Sequence, residues 1–130
     1  MQVEEFIESV LASSAEIQKA TGGRVFAFAT AQGTHKYPLI WWQTITSEPL
    51  AEDLKTVGEA WQDEVQIDVF AGSVAAAAQL ADTVRKAFNN ATLTNGILSS
   101  QSNQIIPSYC DEDETIHYAV RVFVNHKIDL

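Results

Sequence analysis

The residue types best suited to chemistry are few: three histidines, His35, His117 and His126, and a single cysteine, Cys110. A zinc site needs several His or Cys ligands at characteristic offsets, and the spacing of these four residues provides none. Cys110 beside His117 could supply a nucleophile and a base, but a third orienting group and an oxyanion hole have no sequence signature. We therefore interpret all four as structural residues and predict neither a metal nor a cofactor.

An acidic run, formed by Asp111, Glu112, Asp113 and Glu114, precedes the last predicted strand. Its composition resembles half of a calcium-binding loop, but the glycine and the terminal glutamate of such a loop are missing at the required offsets. The run fits a solvated hairpin turn, and an acidic patch facing a basic partner is the functional alternative. Weak cation binding is the third interpretation.

Patterns for phosphate binding and for a nucleophile elbow are missing as well. Gly22-Gly23 ends a predicted helix instead of opening one, and Gly72-Ser73 has no Lys or Arg beside it. We therefore predict that the chain is not an enzyme. An enzyme of unrecognised type that uses Cys110 is the rival interpretation.

Charge and size narrow the class of protein further. The chain has 130 residues and a formal net charge of -9, with 8 Lys and Arg against 17 Asp and Glu. This length is typical of one domain over residues 1–130. Because nucleic acids and anionic membranes bind proteins largely through Lys and Arg, the charge argues against tight binding to either. The acidic start and the absence of a long apolar stretch predict a soluble protein that stays where it is made.

Hydrophobic periodicity predicts two helices and five strands. The predicted helices are 3–20, ended by Gly22-Gly23, and 74–90, opened by Ser73 as the N-cap. The predicted strands are 24–29, 39–45, 64–71, 104–109 and 116–125. Residues 47–63 are predicted to form a long acidic connection with a helical turn or two, and residues 91–103 to be irregular. Asp82 and Lys86 are predicted to pair on the second helix.

This order of elements predicts an α+β fold: an antiparallel sheet of about five strands with two helices packed on one face. Trp42, Phe70 and Phe123 fall in the polar-facing set of their strands. Large apolar side chains that recur on the outer face of a sheet indicate an assembly surface. Coverage of these side chains by loops of the same chain is the alternative.

The sequence resembles a family of phage tail-completion proteins, which are related to the tail terminators and tail-to-head joining proteins of long-tailed bacteriophages. The resemblance is carried by an ordered set of segments spread over nearly the whole chain. These segments are Gly22-Gly23-Arg24-Val25-Phe26, the proline-led strand 38–45, strand 65–71 running into the alanine-rich helix 73–88, and the closing strand 118–124. The long acidic connection over residues 47–63 departs from the family pattern.

The resemblance implies a structural protein that forms a ring, usually of six copies, on the head-proximal end of the tail tube. Its implied partners are further copies of itself, the major tail tube protein and head-completion or connector proteins. It is expected at the head–tail junction of the virion after synthesis in the host cytoplasm. A ring needs a heterologous contact, for which Trp42, Phe70 and Phe123 are the candidates, with the acidic residues Asp111 to Glu114 nearby.

The net charge of -9 also fits a ring through which DNA passes, because an acidic lumen would repel phosphates instead of gripping them. The alternative to the phage role is a small α+β module that dimerises or binds a ligand.

Overall fold

A computed structural model describes residues 2–27, 36–50, 60–108 and 116–127 of the chain. Within these ranges the chain forms three helices and five strands. The helices are α1 (Gln2–Ser13), α2 (Ala15–Thr21) and α3 (Val74–Asn89). The strands are β1 (Val25–Ala27), β2 (Leu39–Pro49), β3 (Ala60–Ala71), β4 (Ile97–Ser108) and β5 (Ile116–Lys127).

The five strands form one sheet in the order β1-β2-β3-β5-β4. The predicted α+β class with a five-stranded sheet is confirmed. The sheet is mixed, however, because β1 runs parallel to β2 through the register pairs that begin at Val25 and Ile40, whereas all the other neighbours are antiparallel. The residue pattern of a strand reports which face it buries but not the direction of its neighbour, so the prediction of an antiparallel sheet was incomplete.

The helix predicted over residues 3–20 is two helices, because the chain leaves the helical conformation at Ser14. Ser14 has extended backbone angles (φ -81°, ψ 111°), and its hydroxyl accepts a hydrogen bond from the Ile17 backbone N–H at 3.2 Å, which caps α2. The predicted end of this segment is confirmed: Gly22 has a left-handed conformation (φ 62°), and its N–H donates to the Gln18 carbonyl.

The strands are longer than predicted on both sides of the acidic connection. β2 continues to Pro49 and β3 begins at Ala60, so the acidic connection predicted over residues 47–63 was wrong at both of its ends. Residues 51–59, where the helical turns were predicted, lie outside the described residues. β4 begins at Ile97 and continues through Pro107, although residues 91–103 had been predicted as irregular. β4 is an edge strand, and edge strands tolerate polar residues and proline. Because many of its side chains are polar, the hydrophobic pattern did not predict residues 97–103 as part of this strand.

The helices cover one face of the sheet and form a single buried cluster with it. The cluster joins residues of α1, α2 and α3 to inward-facing residues of the strands. Phe6 of α1 meets Phe88 of α3 edge to face, with ring centroids 6.2 Å apart. The sheet therefore has an inner face against the helices and an outer face on its other side.

Candidate assembly surfaces

The two adjacent tryptophans of β2 lie on opposite faces of the sheet. Trp42 pairs with Ile67 of β3 and belongs to the buried cluster under the helices, where it is 6% exposed. Trp41 pairs with Asp68 and lies on the outer face. The assignment of Trp42 to the outer face was therefore wrong. Four consecutive apolar residues begin β2, so their alternation has no phase, and a one-residue offset exchanges the two faces.

Phe70 lies on the outer face, as predicted, but it is already buried in the single chain. Its side chain is only 8% exposed. Its ring stacks on the ring of His117, with centroids 4.5 Å apart and planes 8° apart, and it meets Trp41 edge to face at 4.8 Å. Phe70 is therefore part of an aromatic cluster within the fold.

A carboxylate fixes the orientation of this cluster. Asp68, which is 3% exposed, accepts hydrogen bonds at Oδ1 from His117 Nε2 at 2.7 Å and from Gln66 Nε2 at 2.9 Å. Since a carboxylate oxygen accepts, Nε2 of His117 carries the hydrogen. Asp68 is therefore buried although it lies on the outer face of the sheet.

Phe123 stands apart from this cluster. It is half-buried and pairs with Glu64 of β3, whereas Phe70 pairs with His117, six residues earlier on β5. At the rise of a β-strand this separation is about 20 Å. Next to Phe123 on the same face, Arg121 Nη1 lies 3.0 Å from Glu64 Oε1. The structure therefore does not bring the three predicted aromatic residues into one patch.

His126 has an aspartate partner like that of His117. Its Nε2 lies 2.9 Å from Asp63 Oδ1, and the same oxygen accepts a hydrogen bond from the Ser47 hydroxyl. The side chains of His117 and His126 are 23% and 13% exposed, so both are largely buried. Each histidine meets a carboxylate on the neighbouring strand β3, at a sequence separation that no local pattern reports.

The Ser47, Asp63 and His126 side chains do not have the connectivity of a catalytic triad. In a triad the histidine stands between the serine and the carboxylate, so that it can take the hydroxyl proton. Here the carboxylate stands between the serine and the histidine. This arrangement positions side chains at the end of the sheet and does not activate the hydroxyl.

The predicted ion pair on α3 is confirmed and is larger than expected. Asp82 Oδ2 lies 2.9 Å from Lys86 Nζ, and Asp82 Oδ1 lies 2.8 Å from Arg85 Nη2. Hydrogen bonds from Lys86 and then from Arg85 lower the pKa of Asp82. The Ser73 N-cap is confirmed too, because its hydroxyl accepts from the Ala76 N–H at 3.1 Å.

Several predicted site residues fall outside the part of the chain that the structure describes. They are His35, Cys110, Asp111, Glu112, Asp113 and Glu114. Among the described residues, no group of three or more His, Cys, Asp or Glu side chains is arranged to hold a metal ion. No helix in the same ranges is long and apolar enough to cross a membrane.

The fold is shared with one chain of a solved virion structure. The chain is similar to a chain in a solved structure titled "Virion of native gene transfer agent (GTA) particle", with a TM-score of 0.75 and 12% sequence identity. The similarity covers 98% of this chain and 96% of that chain. No curated protein matches the sequence.

Residues 7–122 match the model of the family described as tail completion protein gp17. The match spans most of the chain and includes β1, β2, β3 and β4 completely and residues 116–122 of β5. The chain belongs to this family of phage tail-completion proteins. It is thus a structural protein of the bacteriophage virion, located in the tail.

Proposed function

We propose that this protein caps the head-proximal end of the tail tube, ends its polymerisation and joins the tail to the head as a ring of identical copies, six in number. The observation that carries the proposal is the family match over residues 7–122. The full-length similarity to a chain of the gene transfer agent virion supports it, because that fold also occurs inside an assembled particle.

The role is structural and involves no catalysis. In both described histidines, Nε2 contacts a buried aspartate on the neighbouring strand. The two side chains therefore stabilise the pairing of the strands and serve a structural purpose. The partners are further copies, the major tail tube protein and the head-completion or connector proteins. The whole chain acts as one domain.

Contacts with these partners involve Phe123, which is half-buried on the outer face, and the acidic run from Asp111 to Glu114. Trp42 and Phe70 are buried and do not contact the partners directly. They act indirectly, because their packing stabilises the sheet whose surface the partners bind. The lumen of the ring is acidic, in keeping with the net charge of -9 on each copy. It therefore repels the phosphates of DNA, which passes through without being bound.

Deletion of the gene from its phage tests this role. We expect filled heads and separate tails, the tails being abnormally long or unjoined, in electron micrographs of the lysate. Plasmid-borne wild-type protein should restore joined particles and infectivity. Intact, infectious virions in the absence of the protein would refute the proposed function.

A further inference from the structure

Two lateral margins of the sheet carry no charged side chain, although the chain as a whole is acidic. Residues 87–110 contain no Asp, Glu, Lys, Arg or His, and neither do residues 37–47. The first stretch includes β4, which forms one margin of the sheet. The second includes residues 44–47 of β2. Among the described residues, β1 pairs only with residues 40–42 of β2, so residues 44–47 have no described strand neighbour on that side. We call these the β4 margin (with the turn that precedes it, residues 93–108) and the β2 margin (residues 44–47).

Each margin presents a large apolar side chain at a β-bulge. On β2 the register slips between Thr44 and Thr46, so that Ile45 is the extra residue, and its side chain is 43% exposed. On β4 the register slips between Ile97 and Ser99, so that Leu98 is the extra residue, and it is 45% exposed. A bulge redirects a side chain that the regular strand would place elsewhere.

Leu98 has an apolar neighbour across a turn. The Ile97 N–H donates to the Thr94 carbonyl at 3.0 Å, which closes a four-residue turn between Leu93 and Leu98. Leu93 is also 45% exposed. The β4 margin therefore carries two exposed leucines at one end of the sheet.

The backbone of β4 is poorly suited to extending the sheet by strand addition. Asn89 accepts from the Ser102 N–H and donates to the Ser102 carbonyl, each at 2.7 Å, so both backbone groups of Ser102 are occupied. Pro107 has no N–H to donate, and two bulges interrupt the strand. A partner at this margin would therefore meet side chains.

The charge of the chain indicates what that partner is. Copies with a net charge of -9 repel one another, so the surface by which they meet must avoid placing carboxylates face to face. The two uncharged margins meet this requirement. The two margins have different residues and lie at opposite lateral edges of the sheet. A ring requires such a pair, because each copy must contact its two neighbours through two different surfaces.

We propose that the β4 margin of one copy packs against the β2 margin of the next copy, with Leu93 and Leu98 meeting Ile45. This inference rests on the proposed ring and specifies its copy-to-copy contact. The contact is heterologous, so every copy uses both margins. The outer face of the sheet and the exposed surface of the helices remain available to other proteins.

The test uses one acidic substitution on each margin, Leu98→Asp and Ile45→Asp, in the full-length protein. Val74→Asp is the matched control, because Val74 is a still more exposed apolar residue (59%) at the start of α3. Sedimentation velocity then measures the size of each protein. We expect Leu98→Asp and Ile45→Asp to remain monomeric at concentrations where the wild-type protein and Val74→Asp form rings.

A mixture of the two defective variants gives the decisive result. Leu98→Asp retains an intact β2 margin and Ile45→Asp retains an intact β4 margin, so an equimolar mixture should form dimers but no ring. Circular dichroism verifies that each variant is folded. If an acidic substitution unfolds the chain, Leu98→Ser and Ile45→Ser replace the pair and should raise the concentration required for assembly at least tenfold.

Four results would overturn the inference: rings from either Asp variant at wild-type concentrations, no dimer in the mixture, loss of assembly in Val74→Asp, or a wild-type protein that stays monomeric. None of these would by itself contradict the role at the end of the tail, which the gene deletion tests separately.

Discussion

At the scale of single residues, Asp68 shows how an acidic side chain can be buried on the sheet face that the helices leave uncovered. Its carboxylate is 3% exposed and accepts hydrogen bonds from both His117 and Gln66. Because the His117 ring stacks on Phe70, the same carboxylate also fixes the aromatic contact. A buried polar group contributes to stability only while its partners remain in place.

We expect Asp68→Ala to lower the free energy of unfolding by about 1–3 kcal/mol, because two hydrogen bonds to a buried acceptor are lost. Urea denaturation followed by circular dichroism measures the change. Asp82→Ala is the matched control, since it removes a carboxylate with two cationic partners from the exposed surface of α3. Exposed ion pairs contribute little, so this control should stay near the wild-type value. Equal losses in the two variants would contradict the structural role of Asp68.

At the scale of elements, the turn before β4 determines where the last hairpin begins. Gly96 has a positive φ of 87°, and its carbonyl accepts a hydrogen bond from the Lys127 N–H at 2.9 Å. A methyl group on Gly96 would lie 2.5 Å from Gln2 Nε2. The conformation and the close approach of α1 both favour glycine at this position.

We expect Gly96→Ala to destabilise the protein by about 1–2 kcal/mol, the cost of a left-handed conformation for a residue with a Cβ. Gly72→Ala is the control, because its added methyl group would have no atom within 4 Å and its φ lies outside the left-handed region. That control should be neutral or about 0.4–1 kcal/mol more stable, because alanine restricts the unfolded chain. Thermal unfolding of both variants measures the difference. A Gly96→Ala variant as stable as Gly72→Ala would show that the turn tolerates a side chain.

At the scale of the whole molecule, the charge distribution controls how copies approach one another. The chain carries a net charge of -9, yet long stretches on two margins of its sheet carry no charge. Repulsion therefore acts between the bodies of neighbouring copies, and the proposed contact offers no ion pairs to offset it.

We expect self-association to strengthen with ionic strength. Raising the salt concentration from about 0.01 M to about 0.1 M shortens the Debye length from about 30 Å to about 10 Å, which screens the repulsion between copies. Sedimentation equilibrium at the two salt concentrations measures the association constant, and sucrose at equal osmolality is the control for non-ionic effects. Association that weakens as salt is added would indicate charge pairs across the contact and contradict the uncharged margins.

The features that the sequence determined by itself are those with a local physical cause. Gly22 ends α2 because only glycine adopts the left-handed conformation without strain, and Ser73 opens α3 because its hydroxyl satisfies a free N–H. The alternation of Val65, Ile67 and Val69 in the sequence marks the buried face of β3, since successive side chains of a strand point to opposite sides. The resemblance to tail-completion proteins rested on the same ordered elements, and the family match confirms it.

The tertiary structure alone decided which residues meet. The face of Trp42 depends on the register between β2 and β3, which a run of consecutive apolar residues does not specify. The partners of His117 and His126 are aspartates 49 and 63 residues away, so no spacing along the chain reveals them. The order of strands in the sheet places β4, with its uncharged residues, at a lateral edge where Leu98 is exposed. The sequence alone does not specify that order. Hydrophobic pattern and turn chemistry act over a few residues, whereas strand order and register depend on packing of the whole chain.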